Sequence, residues 1–377
     1  MPTAHSHFPP SAADRYMHCP KAYLAEKAVP NTTSAAAEEG TTAHALAEYK
    51  LRLLTGTVDG EGLTKEEAEE LAKSDKQMDE YTDGYIEFIK EQAEIMMNEQ
   101  GRTTIYPEQI VSFSDFVDGG FGTADCIVIG KKILHIVDFK YGSNVRVDWN
   151  DNTQLKIYAL GAWSAFKGKY KNIETVRMSI YQPRMNSKGT FEMSLEDLVR
   201  WGNEELKPRA ELAIRNLGEA TEGPWCNFCK AKACCILKVQ KMLAAAKGLP
   251  VNQQPGIISE AEIADLLPKV KEVEKWCKSL YELAESDAIE GGKTWPGFTL
   301  EPGRSTNVFE DTAKVLEVAE MNGVEVNDLL TVKTPAQVAK AVGTKVYREV
   351  FEDLVTSKPG NLKLVPIKNS KPGKKKS

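Results

Sequence analysis

Two aspartates and a lysine carry the chemistry this sequence suggests most directly. Asp138 and Lys140 stand two residues apart at the end of one apolar run, and Asp125 lies near the start of another. Side chains alternate along a strand, so Asp138 and Lys140 share one side of a sheet with Phe139 on the other. A carboxylate and an ammonium at a strand end, facing a second carboxylate across a hairpin, can hold a divalent cation and place a water for hydrolysis. An ordinary surface ion pair on a hairpin would use the same residue types. Gln154 and Tyr158 add to the constellation, because a spacing of four puts them on one face of the helix expected next. Four of the seven cysteines, Cys226, Cys229, Cys234 and Cys235, crowd into ten residues. In a reducing compartment such crowding points to metal rather than disulfide.

These residues need a hairpin and a helix to position them. Residues 124–129 and 133–139 have strand composition and are joined by a turn at Gly130, Lys131 and Lys132. A leading strand over 103–111 carries Glu108, either a carboxylate near the site or an exposed strand residue. After the hairpin, a loop over 143–152 presents Arg146 and Trp149 where a substrate could be touched. A helix over 155–166 and a strand over 176–182 follow. Upstream, Ser11 reads as the cap of an amphipathic helix bearing Tyr16, Cys19, Tyr23 and Leu24. Gly40-x-x-x-His44 leads a helical run with the imidazole on its first or second turn, and 57–100 reads as one or two charged surface helices. Downstream, a helix over 195–219 precedes the sequence PWCNFCKAKACC. Ser259 and Glu262 form a capping box, and Pro268 opens a long helix to residue 289 with Cys277 on its apolar stripe. Gly291-Gly292-Lys293-Thr294 is not a phosphate-binding loop: the first glycine's position is Asp287 and no strand precedes it.

Taken together, Gly122-x-x-Asp125, Asp138-x-Lys140 and Gln154-x-x-x-Tyr158 resemble the PD-(D/E)xK nuclease core in its RecB-like form, shared by AddB nucleases and the RecB-like nucleases of CRISPR adaptation. The resemblance covers residues 1–245 through these motifs. It implies an α/β fold, restriction-endonuclease-like, with a mixed central sheet flanked by helices. It also implies metal-dependent hydrolysis of phosphodiester bonds in DNA, most readily by an exonuclease. His44, Asp125, Asp138 and the Phe139 carbonyl would hold Mg2+ or Mn2+. Lys140 would orient and help deprotonate the attacking water, with Gln154 and Tyr158 contacting DNA or orienting Lys140. The same resemblance joins Cys19 to Cys226, Cys229 and Cys235 around a [4Fe–4S] cluster. Cys234 stays open as the alternative to Cys235, and a structural Zn2+ as the alternative to the cluster. Such a site would staple segments 11–25 and 224–236 around a core at 101–190, a long loop whose closure restricts the unfolded chain.

The implied organisation is a nuclease domain over 1–250, a linker and long helix over 251–295, and a small α+β region over 296–377 ending in a basic, disordered tail. Phage-encoded proteins of this class set the expected context: recombination, replication or repair beside a single-strand annealing or binding protein. Without a phosphate-binding loop, no nucleoside triphosphate is expected as a partner. The competing reading is a DNA-binding or scaffold protein that keeps the nuclease fold without catalysis.

The chain has 377 residues and a net charge of −6. That balance argues against a tight sequence-specific duplex binder. Local basic clusters exist at Lys167, Lys169 and Lys171, at Lys230 and Lys232, and at Lys374, Lys375 and Lys376. No apolar run is long enough to span a membrane, and the first residues lack a basic segment followed by an apolar one. A cytoplasmic protein is expected, in the host cell if the chain is phage-encoded.

Overall fold

The computed structural model describes residues 8–29, 35–58, 62–247, 260–300 and 334–355. They divide into two compact units, one of residues 1–230 with 301–352, the other of 231–300 with 353–377.

The first unit is built on a five-stranded mixed sheet in the order β1-β2-β3-β4-β5. The strands are β1 (Thr104–Ser112), β2 (Phe121–Ile129), β3 (Ile133–Phe139), β4 (Thr175–Gln182) and β5 (Ser187–Ser194). Only β3 and β4 run parallel, with Asp138 opposite Ile180 and Phe139 opposite Tyr181. A parallel neighbour requires a crossover, which α6 (Thr153–Phe166) supplies. The hairpin expected from the sequence is present, closed by a hydrogen bond from Gly130 N–H to the Ile133 carbonyl at 2.9 Å.

Alternation along β3 sends Leu134 and Ile136 to one face and Val137 and Phe139 to the other. The first face packs against α1 (Pro10–His18), α2 (Pro20–Lys27), α6, α7 (Leu195–Trp201) and α8 (Lys207–Ile214) through Ala13, Tyr16, Leu160, Leu198 and Ala213. The second packs against α3 (Ala35–Thr55), α4 (Lys65–Ser74) and α5 (Lys76–Gln100) through Leu46, Ala68, Tyr85 and Ile89. The sheet is therefore a middle layer with helices on both faces. Two short helices, α11 (Pro335–Val342) and α12 (Thr344–Val350), lie against α5.

Several elements differ from expectation, each for a local reason. The N-terminal helix is two helices, because the residue before a proline is pushed out of the α region, and Cys19 before Pro20 is extended with φ −127° and ψ 90°. Its N-cap is Pro9 and not Ser11. The helix bearing His44 begins before Gly40, placing the imidazole on its third turn. The region 195–219 is not one helix: a π-helical turn spans Gly202–Leu206 just ahead of Pro208. Proline lacks the N–H that an α turn would use, and a wider turn accommodates it. Strand β5 was not anticipated.

In the second unit, α9 (Ile236–Lys247) packs on α10 (Glu260–Ile289), and Trp276 donates to the Ala233 carbonyl at 3.0 Å. Pro268 lies inside α10 and does not begin it. The stripe expected to be core is not: Val270 is 50% exposed and Cys277 is half-buried. The start of the linker expected from residue 251, and residues 301–333 and 356–377 of the expected α+β region with its basic tail, lie outside the described residues. No helix among those described is long and apolar enough to cross a membrane.

Candidate active site

Three strands and two helices converge where the β2–β3 ladder ends, at Cys126 and Val137. Asp125 on β2 uses Oδ2 to accept the Phe139 N–H at 2.7 Å, which pins it to the end of β3. Its Oδ1 lies 3.5 Å from Nδ1 of His44 on α3, and the imidazole leans on the Phe139 ring at 5.3 Å. Asp138 is 2% exposed. Its buried Oδ2 sits 3.0 Å from Lys140 Nζ and has no other hydrogen-bond partner among the described residues. Lys140 Nζ also donates to Gln154 Oε1 at 3.0 Å. Gln154 Nε2 in turn donates to the Tyr158 hydroxyl at 3.3 Å. The sequence-predicted residues His44, Asp125, Asp138, Lys140, Gln154 and Tyr158 thus form one connected set.

A further carboxylate belongs to it. Pro107 pairs with Cys126 and Gln109 with Ala124, so Glu108 falls opposite Asp125. The Glu108 backbone has a φ of 42°, a left-handed conformation uncommon for a residue with a side chain. Ligand atoms of His44, Glu108 and Asp125 all lie within 4.8 Å of one another. Glu48 and Arg52, one and two turns beyond His44 on α3, are joined at 2.9 Å, and their charges reach Glu108. Gly122 gives close access here: a Cβ at that position would meet Pro10 Cγ at 2.9 Å and the Tyr158 ring at 3.1 Å.

The electrostatics are those of crowded carboxylates. Burial, then the charges of Asp125 and Glu48, pushes the Glu108 carboxyl up to about 9. Burial also raises Asp138, against the opposing pull of Lys140. Asp125 goes the other way, since His44 and Lys140 outweigh its burial. Burial alone would lower His44 and Lys140, but the neighbouring aspartates raise both. His44, Glu108 and Asp125 form a group that could hold a metal ion; Asp138 stands outside that group, its buried Oδ2 paired with Lys140.

The family model for "Protein of unknown function (DUF2800)" matches residues 5–372. This chain belongs to the DUF2800 family. Among solved structures, the crystal structure of SSO0001 aligns with a TM-score of 0.23 and 12% identity, covering 60% of this chain and 96% of that one; a likeness that weak carries no argument.

Among the described residues the cysteines of the DUF2800 chain form no group of three or more metal-ligand atoms. Cys19 sits at the break between α1 and α2, and both it and Cys229 are half-buried against the first core. The turn Pro224–Phe228, which carries Cys226, docks on α1. Trp225 stacks on His18 at 4.4 Å, the Thr221 hydroxyl donates to the His18 carbonyl at 2.5 Å, and Lys230 N–H donates to Glu26 at 2.9 Å. Cys19, Cys226 and Cys229 do not bring their sulfurs within 4.8 Å of one another. Cys234 and Cys235 belong to the second unit.

Proposed function

We propose that this DUF2800 protein is a metal-dependent DNA nuclease with a PD-(D/E)xK site. The observation that carries the reading is the convergence of His44, Glu108, Asp125, Asp138 and Lys140 from α3, β1, β2 and β3. His44, Glu108, Asp125 and Asp138, with the Phe139 carbonyl, would hold Mg2+ or Mn2+. A cation bound there would acidify a water and polarise the scissile phosphate. Lys140, kept as an ammonium by the two aspartates, orients that water and offsets charge growing on the phosphate oxygens rather than removing a proton. Gln154 fixes the Lys140 amine, and Tyr158 fixes Gln154.

The test is a time course on end-labelled single-stranded and duplex DNA with Mg2+ or Mn2+. Cleavage is expected to stop on adding a chelator and to fall at least about a hundredfold in Asp125→Ala, Asp138→Ala and Lys140→Ala. Undiminished cleavage in all three would refute the assignment. DNA binding without any cleavage would favour the silent scaffold. A cytoplasmic setting, beside a protein that binds or anneals single strands, goes with the nuclease reading.

We infer also that Cys19, Cys226 and Cys229 are cluster ligands, with Cys235 as the fourth on sequence spacing alone. A single zinc ion with sulfurs about 2.3 Å away needs them roughly 3.8 Å apart. A zinc site would use the same four thiolates as the cluster, and the iron and zinc contents of anaerobically purified protein separate the two.

A further inference from the structure

The loop from Tyr141 to Asn152 takes no part in the metal site, yet it is tied down more firmly than a connection requires. It leaves the site at Lys140 and returns at Gln154, and the hydrogen bond between those two side chains closes its stem. Gln182, at the end of β4 and 1% exposed, spends its whole carboxamide on it. Gln182 Nε2 donates to the carbonyls of Gly142 at 2.7 Å and Val145 at 2.9 Å, while its Oε1 accepts the Val147 N–H at 3.0 Å. Trp149 lies flat on Gly189 of β5, so closely that a Cβ there would fall 2.0 Å from the indole. Asn152 caps α6 by accepting the Leu155 N–H and also donates to the Asp148 carbonyl at 2.8 Å.

What this scaffold presents is Arg146. Its side chain is exposed, its guanidinium carbon lies 5.5 Å from the Trp149 ring, and Nε donates to Ser187 Oγ at 3.0 Å. No carboxylate among the described residues pairs with it, in contrast to Arg15, Arg52, Arg177 and Arg184. The bond through Nε leaves the planar fork to accept an anion in two-point fashion, and the indole beneath restricts its motion before any ligand arrives.

We propose that Arg146, stacked on Trp149, is a phosphate anchor for the DNA backbone next to the scissile bond. The inference rests on the nuclease reading and adds a binding group outside the metal-holding set. A phosphate contact of this kind carries no base information, so it acts equally on all sequences. It also adds one fixed positive charge, on the loop that joins Lys140 to Gln154, to a chain whose net charge is −6.

The test is binding of the full chain to fluorescein-labelled single-stranded and duplex oligonucleotides of two unrelated sequences, in chelator, across a series of salt concentrations. Arg146→Ala is expected to weaken binding roughly tenfold on every oligonucleotide. The slope of log affinity against log salt should become shallower by about 0.7 for single strands or 0.9 for duplex. Arg146→Lys should keep the slope and lose part of the affinity, since the charge stays and the fork and stack go. An unchanged slope in Arg146→Ala, with wild-type binding and cleavage intact, overturns the anchor and leaves the nuclease reading standing. A wild type that binds neither kind of DNA overturns both. Because Arg146 is exposed, the Ala variant should melt with the wild type; a melt lowered by several degrees, with the slope unchanged, counts against the anchor.

Discussion

Glu108 shows how the site is held together and what it costs. Its carboxyl opposes Asp125 across the β1–β2 ladder and is displaced upward to about 9 by burial and by neighbouring negative charge. Above pH 4.5 the unfolded chain gives up this proton while the folded chain keeps it until about pH 9, so the metal-free protein loses stability as pH rises through that window. Glu108→Gln removes the ionisation and keeps the shape. At pH 8 the metal-free variant is expected to melt roughly 2–4 °C higher than wild type, while the rise in melting temperature that Mn2+ gives the wild type shrinks or disappears. A variant whose response to Mn2+ matches the wild type would remove Glu108 from the ligand set. Strand and helix periods put Asp138 with Lys140, and Gln154 with Tyr158, on shared sides without coordinates, while His44 and Asp125 were joined to them by the resemblance. Glu108 was only half legible. Its place depends on a left-handed φ and on a register with β2, and neither is written in the local spacing.

At the scale of elements, the sheet carries a polar thread through its interior. His135 on β3 is fully buried; its Nε2 lies 2.7 Å from Ser179 Oγ on β4, which lies 2.7 Å from Thr190 Oγ1 on β5. Nδ1 of His135 has no partner among the described residues. Burial first, and the Arg177 charge second, pushes this imidazole down to about 3 from an ordinary 6.5. Below pH 6.5 the unfolded chain takes up a proton that the folded chain refuses, so stability falls as pH drops toward 3, by up to about 1.4 kcal/mol per unit. In His135→Gln the difference in unfolding free energy between pH 7 and pH 5 should be smaller than in wild type by about 1–2 kcal/mol, measured by urea titration. An equal difference in the two proteins would show that His135 is not the group responsible. The sequence marked four of the five strands because their apolar runs are flanked by turn residues. It concealed β5, whose residues Ser187–Ser194 are mostly polar and half-exposed at a sheet edge, where pairing with β4 supplies the order. The breaks at Cys19 and around Gly202–Leu206 trace to Pro20 and Pro208, residues visible in the sequence whose effect depends on how the neighbouring turns pack.

At the scale of the molecule, the first unit has its N-terminal helices and its segment 221–230 held together by a small polar core. Glu26, 5% exposed, receives Arg15 at 2.9 Å, Tyr16 at 2.9 Å and the Lys230 N–H at 2.9 Å. Cys19 lies at the break between α1 and α2 and Cys226 on the turn docked on α1, more than two hundred residues apart in sequence. Linking such distant points removes unfolded-state entropy worth roughly 5–5.5 kcal/mol on a loop-closure argument, whereas the hydrogen bonds to Glu26 act only in the folded state. The two contributions separate under substitution. If a cluster joins these thiols, Cys19→Ser and Cys226→Ser should each lose most of the bound iron and the associated visible absorption when the protein is purified anaerobically. They should also lower the denaturant midpoint by similar amounts, and the double variant should be no worse than either alone, since one lost ligand already opens the loop. Strictly additive losses in a protein that contains no iron or zinc would mean that these cysteines only pack, and that the contacts of Glu26 and His18 fasten the segment to the helices.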